Sequence, residues 1–230
     1  MDRAVEQLML IGGTAVLYSP GAVVEQRQAA FDSILYAQLV ANKNAGSRFD
    51  DDEQWYAAYR DAYRQLGWIK LASTHDLKVL GQPVRSAQIQ PLEAWLKMRS
   101  IRPEAVLAAI KAGLGRSEAS FPHLLKFASL DQAQGSKLVI ELGILKPGPV
   151  LDLCSIAMQT DKPLSGAPLD RLLREQVFDG EAEFNGVSLA LDNGRFQRQR
   201  EELQALMKTK DVQGDYRLDP YVPPAGADHD

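Results

Sequence analysis

The chain has 230 residues, enough for one large domain or two small ones, and its 45% apolar and 24% charged residues are those of an ordinary globular protein. A net charge of −4 argues against nucleic acid as a partner, because phosphate binding needs clustered Lys and Arg. Cys154 is the sole cysteine, so the fold does not depend on a disulfide within the chain.

Gln7 to Val24 carries no charged side chain. Asp2, Arg3 and Glu6 stand where a signal peptide wants a basic start. Gly12-Gly13 and Pro20-Gly21 interrupt the stretch where a spanning helix needs about 20 apolar residues. The expectation is a buried strand or arm over Ala15 to Tyr18 in a cytoplasmic protein. Insertion into a membrane or a partner after a conformational change is the sharper alternative for this segment.

Val23 to Ala41 reads as a helix with Val24, Phe31, Leu35 and Leu39 along one stripe, widened by Ile34. The most strongly patterned stretch follows. Asp50-Asp51-Asp52-Glu53 can cap a helix, with Asp50 at the N-cap and Glu53 three residues on. Trp55, Tyr59, Ala62, Tyr63 and Leu66 then share one face, and Gly67 stops the helix in a left-handed conformation. Trp68, just past the stop, is placed to pack back on Tyr63. The two helices are expected to pair as a hairpin.

Trp68 to Leu71 turns extended, and Leu77 to Arg85 reads as an edge strand or irregular because Gly81 and Pro83 break a helix. Helices are expected from Pro91 (Leu92, Trp95, Leu96), from Pro103 (Val106, Leu107, Ile110, stopping at Gly113 to Gly115) and from Ser120 to near Ser129. Ser136 to Leu145 and Val150 to Thr160 then read as a β-hairpin around Lys146-Pro147-Gly148-Pro149. Leu169 to Phe178 leans to strand, with a turn at Asp179-Gly180. Ala182 and Phe184 alternate in one phase and Val187, Leu189 and Leu191 in the other, which suggests a bulge or tight hairpin at Asn185-Gly186. Asp192 can cap a last helix over Gly194 to Lys208, and the acidic, Pro-containing tail from Asp211 reads as irregular, with Tyr216 and Tyr221 as anchors.

Runs of helices followed by runs of strands predict an α+β fold. The expected layout is a mainly helical part over 1–130, a small C-terminal antiparallel sheet with a final helix over 136–210, and an irregular tail over 211–230.

Chemistry is sparse. His75, His123 and His229 are scattered, neither His-x3-His nor Cys-x2-Cys spacing occurs, and no phosphate loop or G-x-S-x-G elbow is present, so no metal or cofactor is expected. The secondary catalytic candidates are His75 with Asp76, and a Glu141/Asp152 carboxylate pair on facing strands, both of hydrolase type. Arg195, Arg198 and Arg200 form the dense basic cluster, read first as an ion-paired face and second as an anion site. Trp55, Tyr59, Tyr63 and Trp68 are residue types that dominate interface hot spots, although helical spacing makes them core first. The preferred function is therefore a non-catalytic interaction or structural module whose partner is a protein or a second copy of the chain. A hydrolase-type enzyme and a secreted or membrane-active effector follow as alternatives.

Overall fold

A computed structural model describes residues 7–79, 90–99, 101–133, 135–160 and 182–221. The strand expected over Leu169 to Phe178, the Asp179-Gly180 turn and the last nine residues lie outside them, as does His229.

The described strands are β1 Gln7–Ile11, β2 Thr14–Tyr18, β3 Trp68–Val79, β4 Ser129–Asp131, β5 Ser136–Lys146, β6 Val150–Thr160, β7 Ala182–Leu191 and β8 Arg217–Leu218. The described helices are α1 Val24–Ala45, α2 Asp52–Gln65, α3 Gln90–Met98, α4 Pro103–Leu114, α5 Ser120–Ala128, α6 Asn193–Phe196 and α7 Arg200–Gly214. All eight strands join one sheet in the order β3-β7-β6-β5-β2-β1-β8, with β4 beside β5. Every pairing is antiparallel except β2 with β5.

This corrects the expected architecture. The sheet is mixed and large, not a small antiparallel C-terminal unit, and β1, β2 and β3 enter it from the part expected to be mainly helical. The reason is non-local pairing. Thr14 to Tyr18 lies alongside Glu141 to Leu145, a partner no local pattern can announce. The uncharged N-terminal stretch becomes the β1–β2 hairpin, turned at Gly12-Gly13, and is buried in the middle of the sheet.

Helices cover both faces. Strand residues Ile11, Val16, Leu145, Leu151, Leu153, Val187 and Leu189 pack with α1, α2, Phe196 of α6 and Leu203 and Met207 of α7. Leu10, Leu17, Leu138, Leu142, Ile144, Ile156 and Phe184 pack with Trp95 and Leu96 of α3, Val106 and Ile110 of α4, and Leu124 of α5. Two-sided cover explains the continuous apolar runs of β5 and β6.

Local signals acted as expected in several elements. Asp51 caps α2, its Oδ1 accepting from the Gln54 amide at 2.9 Å, one residue later than expected. Gly67 stops the helix at φ +91°, and Trp68 packs edge-on against Tyr63 at 6.0 Å. Trp55 stacks on Tyr59 at 4.8 Å and donates its indole N–H to Asn42 Oδ1 at 2.7 Å, tying α2 to α1. Aromatic pairs of this kind contribute about 0.5–1.5 kcal/mol beyond burial. Asp192 caps the last helical stretch, which breaks into α6 and α7.

The expected irregularity at Asn185-Gly186 is absent from the β6 side, where Ala190 to Glu183 pairs without interruption with Val150 to Ala157, but on the β3 side the register shifts there, Thr74 pairing with Gly186 and Leu77 with Phe184. The phase change has another cause. Phe184 points to the α3–α5 layer and Val187 and Leu189 to the α1–α2 layer, so each phase belongs to a different core. Gly186 marks the gap because the Trp95 indole lies over it: a Cβ there would sit 2.4 Å from Nε1. Gly186→Ala is therefore expected to cost about 1–3 kcal/mol by overpacking. Urea denaturation checks this, and a midpoint equal to that of the parent protein would refute the close approach.

Candidate functional site: a two-faced strand unit and its polar latch

β5, β6 and β7 have 11, 11 and 10 residues and pair in unbroken register. Alternation gives the unit two different faces. Toward α3–α5 it presents the apolar Leu138, Ile140, Leu142, Ile144, Cys154, Ile156, Met158 and Phe184, with Asp152 and Ser188 on the same face opposite Ile144. Toward α1–α2 it mixes Val139, Leu145, Leu151, Leu153 and Val187 with Lys137, Glu141, Ser155, Gln159 and Asn185. A cavity of about 40 Å³ lies against the apolar face, lined by Leu107 and Ile110 of α4, Leu124 of α5 and Ile140, Ile156 and Met158 of the strands.

The mixed face is organised around Glu141, which is 3% exposed. Its Oε1 accepts from Tyr59 Oη and from Thr14 Oγ1, each at 2.7 Å. Tyr59 and Tyr63 hydroxyls lie 3.1 Å apart, and Gln38 Nε2 donates to Thr14 Oγ1 at 2.7 Å and to the Ile11 carbonyl at 3.1 Å. β2 and α2 thus bond directly to the β5 carboxyl, and α1 joins through Gln38 on Thr14. Arg48 is also buried, donating to the Phe127 carbonyl, with its guanidinium 5.8 Å from the Trp55 ring centroid.

Burial sets the electrostatics. It pushes the Glu141 carboxyl above its ordinary value of 4.5, while hydrogen bonds from Tyr59 and Thr14 and the Arg48 charge pull the other way. Burial, reinforced by the Glu141 charge, raises the Tyr59 and Tyr63 hydroxyls well above 10, so both stay donors. Burial lowers the Arg48 guanidinium from its ordinary value, opposed by Tyr56, Glu141 and Tyr59. Cys154 is raised well above its ordinary value by burial and is an unreactive thiol.

The candidates named from sequence do not converge. Glu141 pairs with Ser155 and Asp152 with Ile144, which puts the two carboxylates on opposite faces of the sheet, so they do not form a site. Asp152 instead faces Lys146 Nζ at 2.6 Å and accepts from Ser188 Oγ near the hairpin turn. His75 and Asp76 lie in β3 at a register irregularity between Thr74 and Leu77, and their side chains are outside the described part of the structure. Trp55, Tyr59, Tyr63 and Trp68 are all buried, with exposures of 3% or less, so none offers a docking face in this conformation. Arg195 and Arg198 are exposed around the break between α6 and α7, and Arg200 opens α7 ahead of Glu201 and Glu202. Among the described residues no group of three His, Cys, Asp or Glu could hold a metal ion.

Thr14, Gln38 and Arg48 escaped sequence reasoning. Their signal is the Gly12-Gly13 pair: a Cβ at Gly12 would lie 2.1 Å from Gln38 Oε1, and one at Gly13 would lie 1.8 Å from Arg48 Nη2. The glycines leave room for the latch.

No protein-family model and no curated protein matches the chain. Among solved structures, a delta-endotoxin is similar with a TM-score of 0.44 and 14% identity, over 77% of this chain and 80% of that one. The activated Cyt2Ba monomer from Bacillus thuringiensis subsp. israelensis gives a TM-score of 0.44 and 13% identity, over 77% of this chain and 98% of that one. The Evf virulence factor gives 0.25 and 12%, over 86% and 82%. All three TM-scores lie below 0.5, so the functional reading rests on this chain's own residues.

The raised Glu141 carboxyl makes stability depend on pH. A carboxyl whose folded value is raised stabilises the fold fully below its unfolded value, and that stabilisation is lost as pH rises through the folded value. The parent protein should therefore lose stability as pH rises above the ordinary carboxyl range. Asp32, raised chiefly by burial, adds to the same slope. Glu141→Gln keeps an acceptor without the charge and should flatten the Glu141 share of that slope. Parallel denaturation profiles for the variant and the parent across this range would refute it.

Proposed function

We propose that the protein is a membrane-active effector whose β5–β6–β7 unit enters the bilayer. The observation that carries this is the pairing of strand length with two-faced chemistry. A membrane-crossing strand needs about 9–11 residues. It must alternate, with one apolar face toward lipid and one polar face toward a lumen. The unit has 10 to 11 residues per strand, one side made by Leu138, Ile140, Leu142, Ile156 and Met158 that is apolar apart from Asp152 and Ser188 near the β5–β6 turn, and a mixed side that carries Lys137, Glu141, Ser155 and Gln159.

Among the described residues no helix is long and apolar enough to cross a membrane, so the sheet is the element of this chain to examine. Trp55, Tyr59, Tyr63 and Trp68 are buried and so form no docking face in this conformation. The face-to-face separation of Glu141 and Asp152 removes the carboxylate-pair enzyme.

Vesicles of phosphatidylcholine loaded with a self-quenching dye test the proposal. Single cysteines placed at Lys137, Leu138, Ile140 and Glu141 in a Cys154→Ser background carry an environment-sensitive fluorophore. Dye release is expected, together with quenching by spin-labelled lipid at Leu138 and Ile140 and not at Lys137 or Glu141. Failure to float with vesicles at acid, neutral and alkaline pH, or equal quenching at all four positions, would sink it.

A further inference from the structure

The chain that leaves α7 does something the sheet alone does not require. Asp215 takes a left-handed conformation (φ 50°) and turns the chain back. Asp211 Oδ1 accepts from the amides of Tyr216 at 3.1 Å and Arg217 at 2.9 Å, shaping that turn. Arg217 and Leu218 then form β8 along the outer edge of β1, opposite Ile11 and Leu10.

From this edge the segment reaches both helical layers. On the α1 side, Arg217 Nη2 meets Asp32 Oδ1 at 2.7 Å, and Asp32 is fully buried. On the α5 side, the Tyr216 ring lies 5.3 Å from Phe127, and Lys126 Nζ donates to the Gly214 carbonyl at 3.3 Å. The Tyr216 carbonyl is a shared node: the Gly12 amide donates to it at 2.7 Å, and His123 Nε2 lies 3.3 Å from it. Farther along, the Arg116 guanidinium sits 3.9 Å over the Tyr221 ring. One short stretch therefore holds α1, α5, the loop after α4 and the β1–β2 turn at once.

The ion pair at its centre is incompletely satisfied. Asp32 Oδ2 and Arg217 Nε are buried without a hydrogen-bond partner. A buried pair with unmet groups recovers less of its desolvation cost than a fully bonded one. Both groups regain water when the stretch lifts away, so opening is favoured relative to a perfected contact.

We infer that residues 214–221 are a clasp that buckles the two helical layers around the sheet, and that it must open before the β5–β6–β7 unit can meet lipid. The second half of this inference rests on the membrane reading; the first does not.

Two experiments separate them. Hydrogen exchange reads the clasp itself. Arg217→Met is expected to speed exchange at least about tenfold in both α1 and α5, while β5 and β6 amides keep their protection. Asp32→Asn combined with Arg217→Met keeps the measurement available if a lone buried carboxylate unfolds the chain. Faster exchange in one layer only, or in neither, overturns the clasp. For gating, Leu10→Cys and Leu218→Cys in the Cys154→Ser background face each other across an antiparallel pair, within disulfide reach. The oxidised lock should silence dye release from phosphatidylcholine vesicles, and reduction should restore it. Release undiminished by the oxidised lock overturns gating. Absence of release from the reduced and parent proteins sinks the membrane reading, and the exchange result still decides the clasp.

Discussion

Glu141 sits at the middle of the sheet, out of water, and its carboxyl must be given partners there. A buried carboxylate without hydrogen bonds would cost several kcal/mol. The partners come from far along the chain: Thr14 from 127 residues upstream and Tyr59 from 82 upstream. Satisfying this one group fixes β2 in parallel register beside β5 and presses α2 onto the sheet. Through Thr14 and Gln38 it also sets α1. The Gly12-Gly13 turn is shaped to the same end, since any side chain there would displace Gln38 or Arg48.

The two helical layers are consequently attached by different forces. The α1–α2 layer is held by directional bonds to Glu141, by the Trp55 and Trp68 indoles donating to Asn42 and Ser33, and by stacked rings. The α3–α5 layer meets the strand unit through aliphatic and aromatic contact and leaves a small cavity beneath α4. Apolar contact is exchangeable: hydrocarbon from a lipid can replace Leu107, Ile110 and Leu124 at little cost, because neither surface prefers the other. Hydrogen bonds to a buried carboxyl are not exchangeable in that way. On the proposed membrane reading, this asymmetry makes the α3–α5 face the one to be exchanged for lipid.

How much of this was legible in the sequence follows the range of each interaction. The acidic cap and glycine stop of α2, the return of Trp68 to Tyr63, the β5–β6 hairpin and the Asp192 cap are all decided within a few residues. The assembly of the sheet is decided by partners more than a hundred residues apart, and period-two patterning does not name partners. Two-sided burial also gives β7 two apolar phases, one for each core, besides the register shift with β3 opposite Asn185. Glu141 carries no local mark of burial, because polarity in a strand ordinarily means solvent. His123, polar and in a helix, is likewise only 8% exposed beneath the clasp, with burial lowering its pKa.

The strand unit also carries a demand of its own. In water its lateral edges are satisfied: β2 and β4 bond to β5 on one side, and β3 bonds to β7 on the other. In hydrocarbon no backbone group can stay unpaired, so an open three-stranded sheet is not a viable membrane structure. Single-chain outer-membrane barrels begin at about eight strands. One copy inserting β5, β6 and β7 therefore cannot close a barrel. The edges freed on insertion have to pair with those of neighbouring copies, β5 of one against β7 of the next. Self-association then follows from backbone hydrogen bonding, without any docking face on the folded monomer. On the proposed membrane reading, self-association needs no exposed aromatic face, which accords with the burial of Trp55, Tyr59 and Tyr63.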